Sequence, residues 1–192
     1  MPRQPRKWIP NATYHFMMRG NRKSIIFHEP TDFQNYLNLL DRSSKSHPFR
    51  LHSFCLMNNH IHLLLETMKD PPTQLFRQIN TCYAMYYNKK YDSVGHLFQG
   101  RFKAKHVDTT SYLLGVSKYI HLNPVEANLV KQPELYPWSS YSAYYHQHRV
   151  PLVHTEKILS FFPESSPSRY NEYVRRQLTY EEKELAKTFL RP

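Results

Sequence analysis

His60 and His62, two histidines one step apart, are the residues whose type and spacing best suit a metal ion. They lie in Met57-Asn58-Asn59-His60-Ile61-His62-Leu63-Leu64-Leu65-Glu66, an apolar stretch that predicts a strand. Alternate side chains of a strand share a face, so both imidazoles point one way and Ile61 and Leu63 the other. Two imidazoles on one rigid face can grip one ion. Twelve histidines in 192 positions give roughly 0.75 His-x-His pairs by chance, so spacing alone is a weak signal. A second pair, His146-Gln147-His148, has a polar middle residue and precedes Pro151, which predicts a solvated loop. The bland alternative for His60 and His62 is a pair of half-exposed sheet residues. Glu66 shares their parity and is a peripheral candidate only.

A metal beside a basic surface suits phosphodiester chemistry, which needs a nucleophile. Among fifteen tyrosines, Tyr119 stands out in Val116-Ser117-Lys118-Tyr119-Ile120-His121-Leu122-Asn123-Pro124-Val125. On a helix, Asn123 sits at i+4 and shares the Tyr119 face. Its carboxamide could be a third ligand beside an attacking phenol. The alternative is that Tyr119 belongs to the stripe Tyr112, Leu113, Val116, and that Asn123 only precedes a helix-stopping proline.

The elements that would position these groups can be read from pattern. Ala12–Met18 predicts a strand ending at Arg19-Gly20-Asn21, with Ser24–Phe27 as a possible extension. A helix follows, with Thr31 as N-cap and Phe33, Tyr36, Leu37 and Leu40 on one face. Phe49–Met57, the Asn58-Asn59 turn and His60–Glu66 predict a hairpin. Thr73–Lys90 predicts a long helix, Phe98–Val107 a strand, and the stretch from Asp108 or Thr109 to Leu122 a helix stopped by Asn123-Pro124. This order predicts an α+β fold with helices on one face of a mainly antiparallel sheet. The chain divides into a basic arm (1–10), a main domain (11–145) and a short helical extension (146–192). Trp138 and Tyr141 read as packing anchors for a C-terminal helix.

Composition narrows the partners. Lys and Arg number 26 against 15 Asp and Glu, a net charge of +11, which points to nucleic acid. Candidate phosphate contacts are Arg19, Arg22, Lys23, Arg77, Lys89, Lys90, Arg101, Lys103 and Lys105. Arg101, Lys103 and Lys105 alternate along the expected last strand, where Phe98 and Phe102 could stack bases. Two cysteines exclude a disulfide framework and a cysteine-based zinc finger. Four glycines leave no phosphate-binding glycine loop, which removes the usual NTPases and nicotinamide enzymes. No apolar run would span a bilayer and no signal peptide is evident, so a cytoplasmic protein is expected.

Five segments in register resemble the single-tyrosine HUH transposases, especially the REP-associated tyrosine transposases. They are Tyr14-His15-Phe16 to Gly20-Asn21-Arg22; Met57 to His62; Gly95-His96-Leu97-Phe98-Gln99-Gly100-Arg101-Phe102; Tyr119 to Val125; and Tyr136-Pro137-Trp138-Ser139-Ser140-Tyr141. The tail from Leu152 to Gln177 also looks like an extension that many members carry. The resemblance implies a ferredoxin-like domain whose central strand carries the histidines. It implies cleavage and rejoining of single-stranded DNA at hairpins or palindromic repeats. Tyr119 maps to the nucleophile forming a 5′-phosphotyrosine, and His60, His62 and Asn123 map to a site for Mg²⁺ or Mn²⁺. Some members carry Gln at the position of Asn123. Relatives work as monomers or as homodimers. The alternatives are a non-catalytic nucleic-acid binder, a water-using nuclease and a host-domesticated repeat-processing protein.

Overall fold

The computed structural model describes residues 8–146 and 150–184. Four strands form one sheet: β1 (Thr13–Arg19), β2 (Phe49–Met57), β3 (His60–Thr67) and β4 (Lys103–Val107). Their spatial order is β2-β3-β1-β4, and every neighbouring pair is antiparallel. With α1 (Pro30–Ser46) and α2 (Thr73–Lys90) as crossovers, this is the ferredoxin-like β-α-β-β-α-β arrangement.

Strict alternation sorts the sheet into two faces. Tyr14, Phe16, Met18, Phe54, Leu56, Ile61, Leu63 and Leu65 point toward α1 and α2. There they meet Phe33, Tyr36 and Leu40 of α1 and Leu75, Phe76, Ile79 and Tyr83 of α2. Each fully buried side chain of this size contributes about 1.5–3 kcal/mol. The Asn58-Asn59 turn closes the β2–β3 hairpin. Helix α1 starts two residues earlier than a Thr31 N-cap predicts: Glu29 is its N-cap, in a reciprocal capping box with Asp32. The 24–27 segment is not a strand.

The expectation of helices on one face is corrected by the third long helix. α3 (Thr110–Glu126) lies over the opposite face, where Leu113, Val116 and Ile120 meet Cys55, Met57 and Leu64. Its far side is covered by α4 (Tyr141–Tyr145), α5 (Glu156–Leu159) and α6 (Pro167–Arg175), through Tyr141, Tyr144, Ile158, Tyr170 and Val174. A helix apolar all round needs a covering on both sides, and the C-terminal segment provides the second. α3 also runs past Asn123-Pro124, which was expected to stop it. Pro124 forfeits the bond to the Ile120 carbonyl, and the packing of α3 between the sheet and the C-terminal segment carries the helix through it. Asn123 therefore keeps helical geometry.

Three further expectations shift. β4 begins at Lys103, not Phe98, and Phe98 makes only an isolated bridge to Gly20. Trp138 stacks on Phe33 of α1 (centroids 4.6 Å, 9° between planes), so it anchors to the other side of the molecule. Of the expected basic arm, residues 1–7 lie outside the described residues, and Trp8 packs edge-on against Tyr14 at 5.0 Å. Gly20 ends β1 at a close approach: a Cβ there would sit 2.1 Å from the Ser24 carbonyl oxygen. No helix among the described residues is long and apolar enough to cross a membrane.

Candidate active site

The two central strands and α3 converge on one spot. β3 carries His60 and His62 on the face opposite the aromatic core, and the β1 register sets Met17 against His62 and Arg19 against His60. α3 lays Tyr119 and Asn123 over the same spot. The Tyr119 ring lies 5.4 Å from that of His62, nearly perpendicular, and the two histidine rings lie 5.0 Å apart. Asn123 Oδ1 is 3.2 Å from His60 Nε2, and Asn123 lies one helical turn past Tyr119 on the same face. Asn59 Oδ1 sits 2.6 Å from His60 Nδ1 and orients the ring. All four expected residues therefore meet within one chain.

His15 joins them unannounced by the histidine spacing. Its Nε2 lies 2.9 Å from His62 Nδ1, and its ring stands edge-on 6.3 Å from Tyr119. The sequence carried His15 in a recognisable segment, but only the β1–β3 pairing brings it to the site.

Burial governs the protonation of this cluster. Burial, and then the charge of Arg19, hold the His60 imidazole down to about 4, against the hydrogen bond to Asn123. His62 lies well below its usual range through burial, then through His60, His15 and Arg19. Both rings are neutral at neutral pH, the form that binds metal. Burial pushes the Tyr119 phenol up to about 12, while the bond to Asn123 and the charge of Arg19 pull the other way. The resting phenol keeps its proton.

The donor set fits a cation. His62 Nε2 is buried without a hydrogen-bond partner among the described residues, an arrangement that costs about 1–3 kcal/mol unless something meets the lone pair. The 3.2 Å between His60 Nε2 and Asn123 Oδ1 compares with about 3 Å between adjacent ligands of a small octahedral ion. No group of three or more His, Cys, Asp or Glu side chains suited to a metal occurs among the described residues. Three protein atoms of this set, two imidazole and one carboxamide, leave room for substrate oxygens. Glu66 is excluded from it: its carboxylate is engaged by Lys157, Arg50 and His52 at the other end of β3.

The basic candidates separate. Arg19 ends β1 beside His60. Lys103 and Lys105 pair with Met17 and His15, so they share the histidine face, and Lys105 Nζ sits 4.7 Å above the Tyr112 ring. Arg22 and Lys23 are exposed in a short 3₁₀ turn just past β1. Arg101 precedes β4 and does not share its alternation. It lines a cavity of about 760 Å³ with Arg77, Phe76 and Phe98. Phe102 is a core residue against Phe16 and Phe76, not a base-stacking platform. Lys90 is tied to Asp32 and Glu29. His146 lies in a bend, and Gln147 and His148 lie outside the described residues.

The profile of the IS200-like transposases matches residues 9–123, which include the histidine pair, Tyr119 and Asn123. The chain belongs to the IS200-like transposase family. This transposase shares its fold with a REP-associated tyrosine transposase solved bound to a REP hairpin, with a TM-score of 0.64 and 20% identity over 82% of this chain and 93% of that one. Weaker overlaps occur with a candidate transposase from Deinococcus radiodurans R1 (TM-score 0.42, 14% identity, 68% and 98% of the two chains). Another is the tRNA(His) guanylyltransferase of Saccharomyces cerevisiae (TM-score 0.46, 9% identity, 92% and 76%). No significant match occurs among curated proteins.

Proposed function

We propose that this transposase cleaves and rejoins single-stranded DNA at hairpin-bearing repeats through a 5′-phosphotyrosine at Tyr119. The convergence of Tyr119, Asn123, His60 and His62 in one chain carries the reading. His60, His62 and Asn123 would hold a divalent ion, Mg²⁺ or Mn²⁺. Bound there, the ion would neutralise charge on the scissile phosphate.

The chain's own residues do the rest. Arg19 adds positive charge beside the same phosphate, and Lys103 and Lys105 extend it along the sheet face. Asn123, one turn on from Tyr119, draws the phenol pKa down against the effect of burial. The Tyr119 phenol gives up its proton to solvent as its oxygen attacks phosphorus, the bond to the 3′ oxygen breaks, and that oxygen takes up a proton from solvent to leave as a 3′-hydroxyl, so no proton is gained or lost overall. The phosphodiester energy is kept in the tyrosyl ester, so a DNA 3′-hydroxyl can reverse the step without ATP. The hairpin carried by the fold neighbour supports a hairpin substrate, and the net charge of +11 supports a nucleic-acid partner.

The test is a 3′-labelled single-stranded hairpin oligonucleotide incubated with Mn²⁺ and run on a denaturing gel. A labelled protein–DNA band is expected with the native chain. With Tyr119→Phe, hairpin binding is expected to persist while the band and cleavage vanish. Cleavage without a covalent band would make water the nucleophile and overturn the tyrosine mechanism.

A further inference from the structure

We propose that His15 is a positioning residue that fixes the tautomer of His62, aiming His62 Nε2 into the metal site. The proposal rests on the metal reading above and extends it to a residue outside the ligand set. The geometry is specific: His15 Nε2 and His62 Nδ1 are 2.9 Å apart, both rings are buried, and their planes are tilted by 35°.

Two ring nitrogens at this distance share one proton. If His62 donates it, the proton sits on His62 Nδ1 and the lone pair of Nε2 is free to bind a cation. If His15 donates, Nε2 of neutral His62 carries the proton and cannot bind. Each tautomer leaves one outward N–H, on His15 Nδ1 in the first and on His62 Nε2 in the second, so hydrogen bonding does not choose between them. The metal reading does: only the first, with His15 Nε2 accepting, leaves a lone pair on His62 Nε2 for a cation.

His15 is suited to accept. An imidazolium has no lone pair to offer, so His15 must be neutral. The ring is buried and stands opposite Lys105 in the β1–β4 register, surroundings that disfavour a second positive charge. His15 also stands edge-on to Tyr119, so the ring backs ligand and phenol at once. Protein groups that accept from the second nitrogen of a ligating histidine raise its basicity and hold its ring, and their loss weakens metal binding by about 10–100-fold.

Two variants separate positioning from packing. His15→Leu removes the acceptor and keeps an apolar filling. His15→Gln returns a carbonyl oxygen at nearly the reach of Nε2. Long-range ¹H–¹⁵N spectra of the metal-free protein report the His62 tautomer directly, and calorimetric titration with Mn²⁺ reports affinity. Native protein is expected to show the proton on His62 Nδ1. His15→Leu is expected to lose that preference and to bind Mn²⁺ about 10–100-fold more weakly. His15→Gln is expected to recover most of both. An unchanged tautomer and unchanged affinity in His15→Leu would overturn the proposal. A native chain with the Nδ1–H tautomer but no Mn²⁺ binding would overturn the metal reading itself and, with it, the purpose assigned to His15. If His15→Leu does not fold, a native chain with the proton on His62 Nε2 still overturns the proposal.

Discussion

The two faces of the sheet are built from the same strands and do opposite work. The face under α1 and α2 is aromatic: Phe16 packs 4.6 Å from Phe76 and 5.6 Å from Phe102. Its main polar cluster sits at the rim, where buried Asp32 accepts from Lys90, Tyr86 and Tyr91. The face under α3 is polar at its centre. His15, His60 and His62 gather there with Tyr119, and a chain of buried hydrogen bonds runs beside them. Ser53 meets Ser117 at 2.7 Å, Ser117 meets Tyr170 at 2.7 Å, Tyr170 meets His121 at 2.7 Å, and His121 meets Ser140 at 2.8 Å. One face is held by shape; the other is laced by buried hydrogen bonds and keeps His62 Nε2 unmet at its centre. Alternation makes the division: a one-residue slip in β3 would turn both histidines into the aromatic core.

Substitutions on either face test this separation. His60→Ala should cut cleavage of a hairpin substrate at least about 10³-fold by removing a ligand, with a small change in melting temperature because the ring is only half-buried. His146→Ala should leave cleavage unchanged in the same gel assay. Phe16→Ala should do the reverse. It should lower unfolding free energy by about 3–5 kcal/mol in urea titrations while folded protein still cleaves. Loss of cleavage in proportion to folded protein would support the division, and a stable but inactive Phe16→Ala would break it.

The rim cluster gives a smaller, pH-dependent effect. Burial pushes the Asp32 carboxyl up, but Lys90, Tyr91, the His28 backbone N–H and Tyr86 outweigh it and bring it down to about 2. A carboxyl depressed on folding adds stability that is complete above its unfolded value near 3.8. That stability is lost as pH falls through about 2, and amounts to about 2 kcal/mol. Asp32→Asn should therefore flatten the stability profile between pH 4 and 2, measured by thermal melts. Smallest of all, Lys105→Ala should reduce the slope of log affinity for single-stranded DNA against log salt by about 0.7. An unchanged slope would take Lys105 out of the docking surface.

Local elements were largely legible. β2 and α2 begin and end where alternation and helical spacing put them, and the Asn58-Asn59 turn follows from residue chemistry. What local pattern could not carry is pairing across the chain. The sheet order β2-β3-β1-β4 makes β1 the neighbour of β3, and only that order brings His15 against His62 and Arg19 beside His60. Phe102 misled for the same reason: one residue outside β4, it follows the core rather than the Arg101, Lys103, Lys105 alternation. Pro124 misled because burial of α3 on both sides outweighs a local helix-breaking signal. Lys118 gave no signal at all. Its amine is buried against Glu182 at 2.9 Å, sixty-four residues on.

Tyr119 reaches its histidines from within a single polypeptide, on a helix clasped between sheet and C-terminal segment. On the proposed chemistry, one phenol can be esterified by one strand terminus at a time. Freeing a DNA segment, which has two boundaries, then demands either a second molecule working alongside or release of the first terminus before the second is cut.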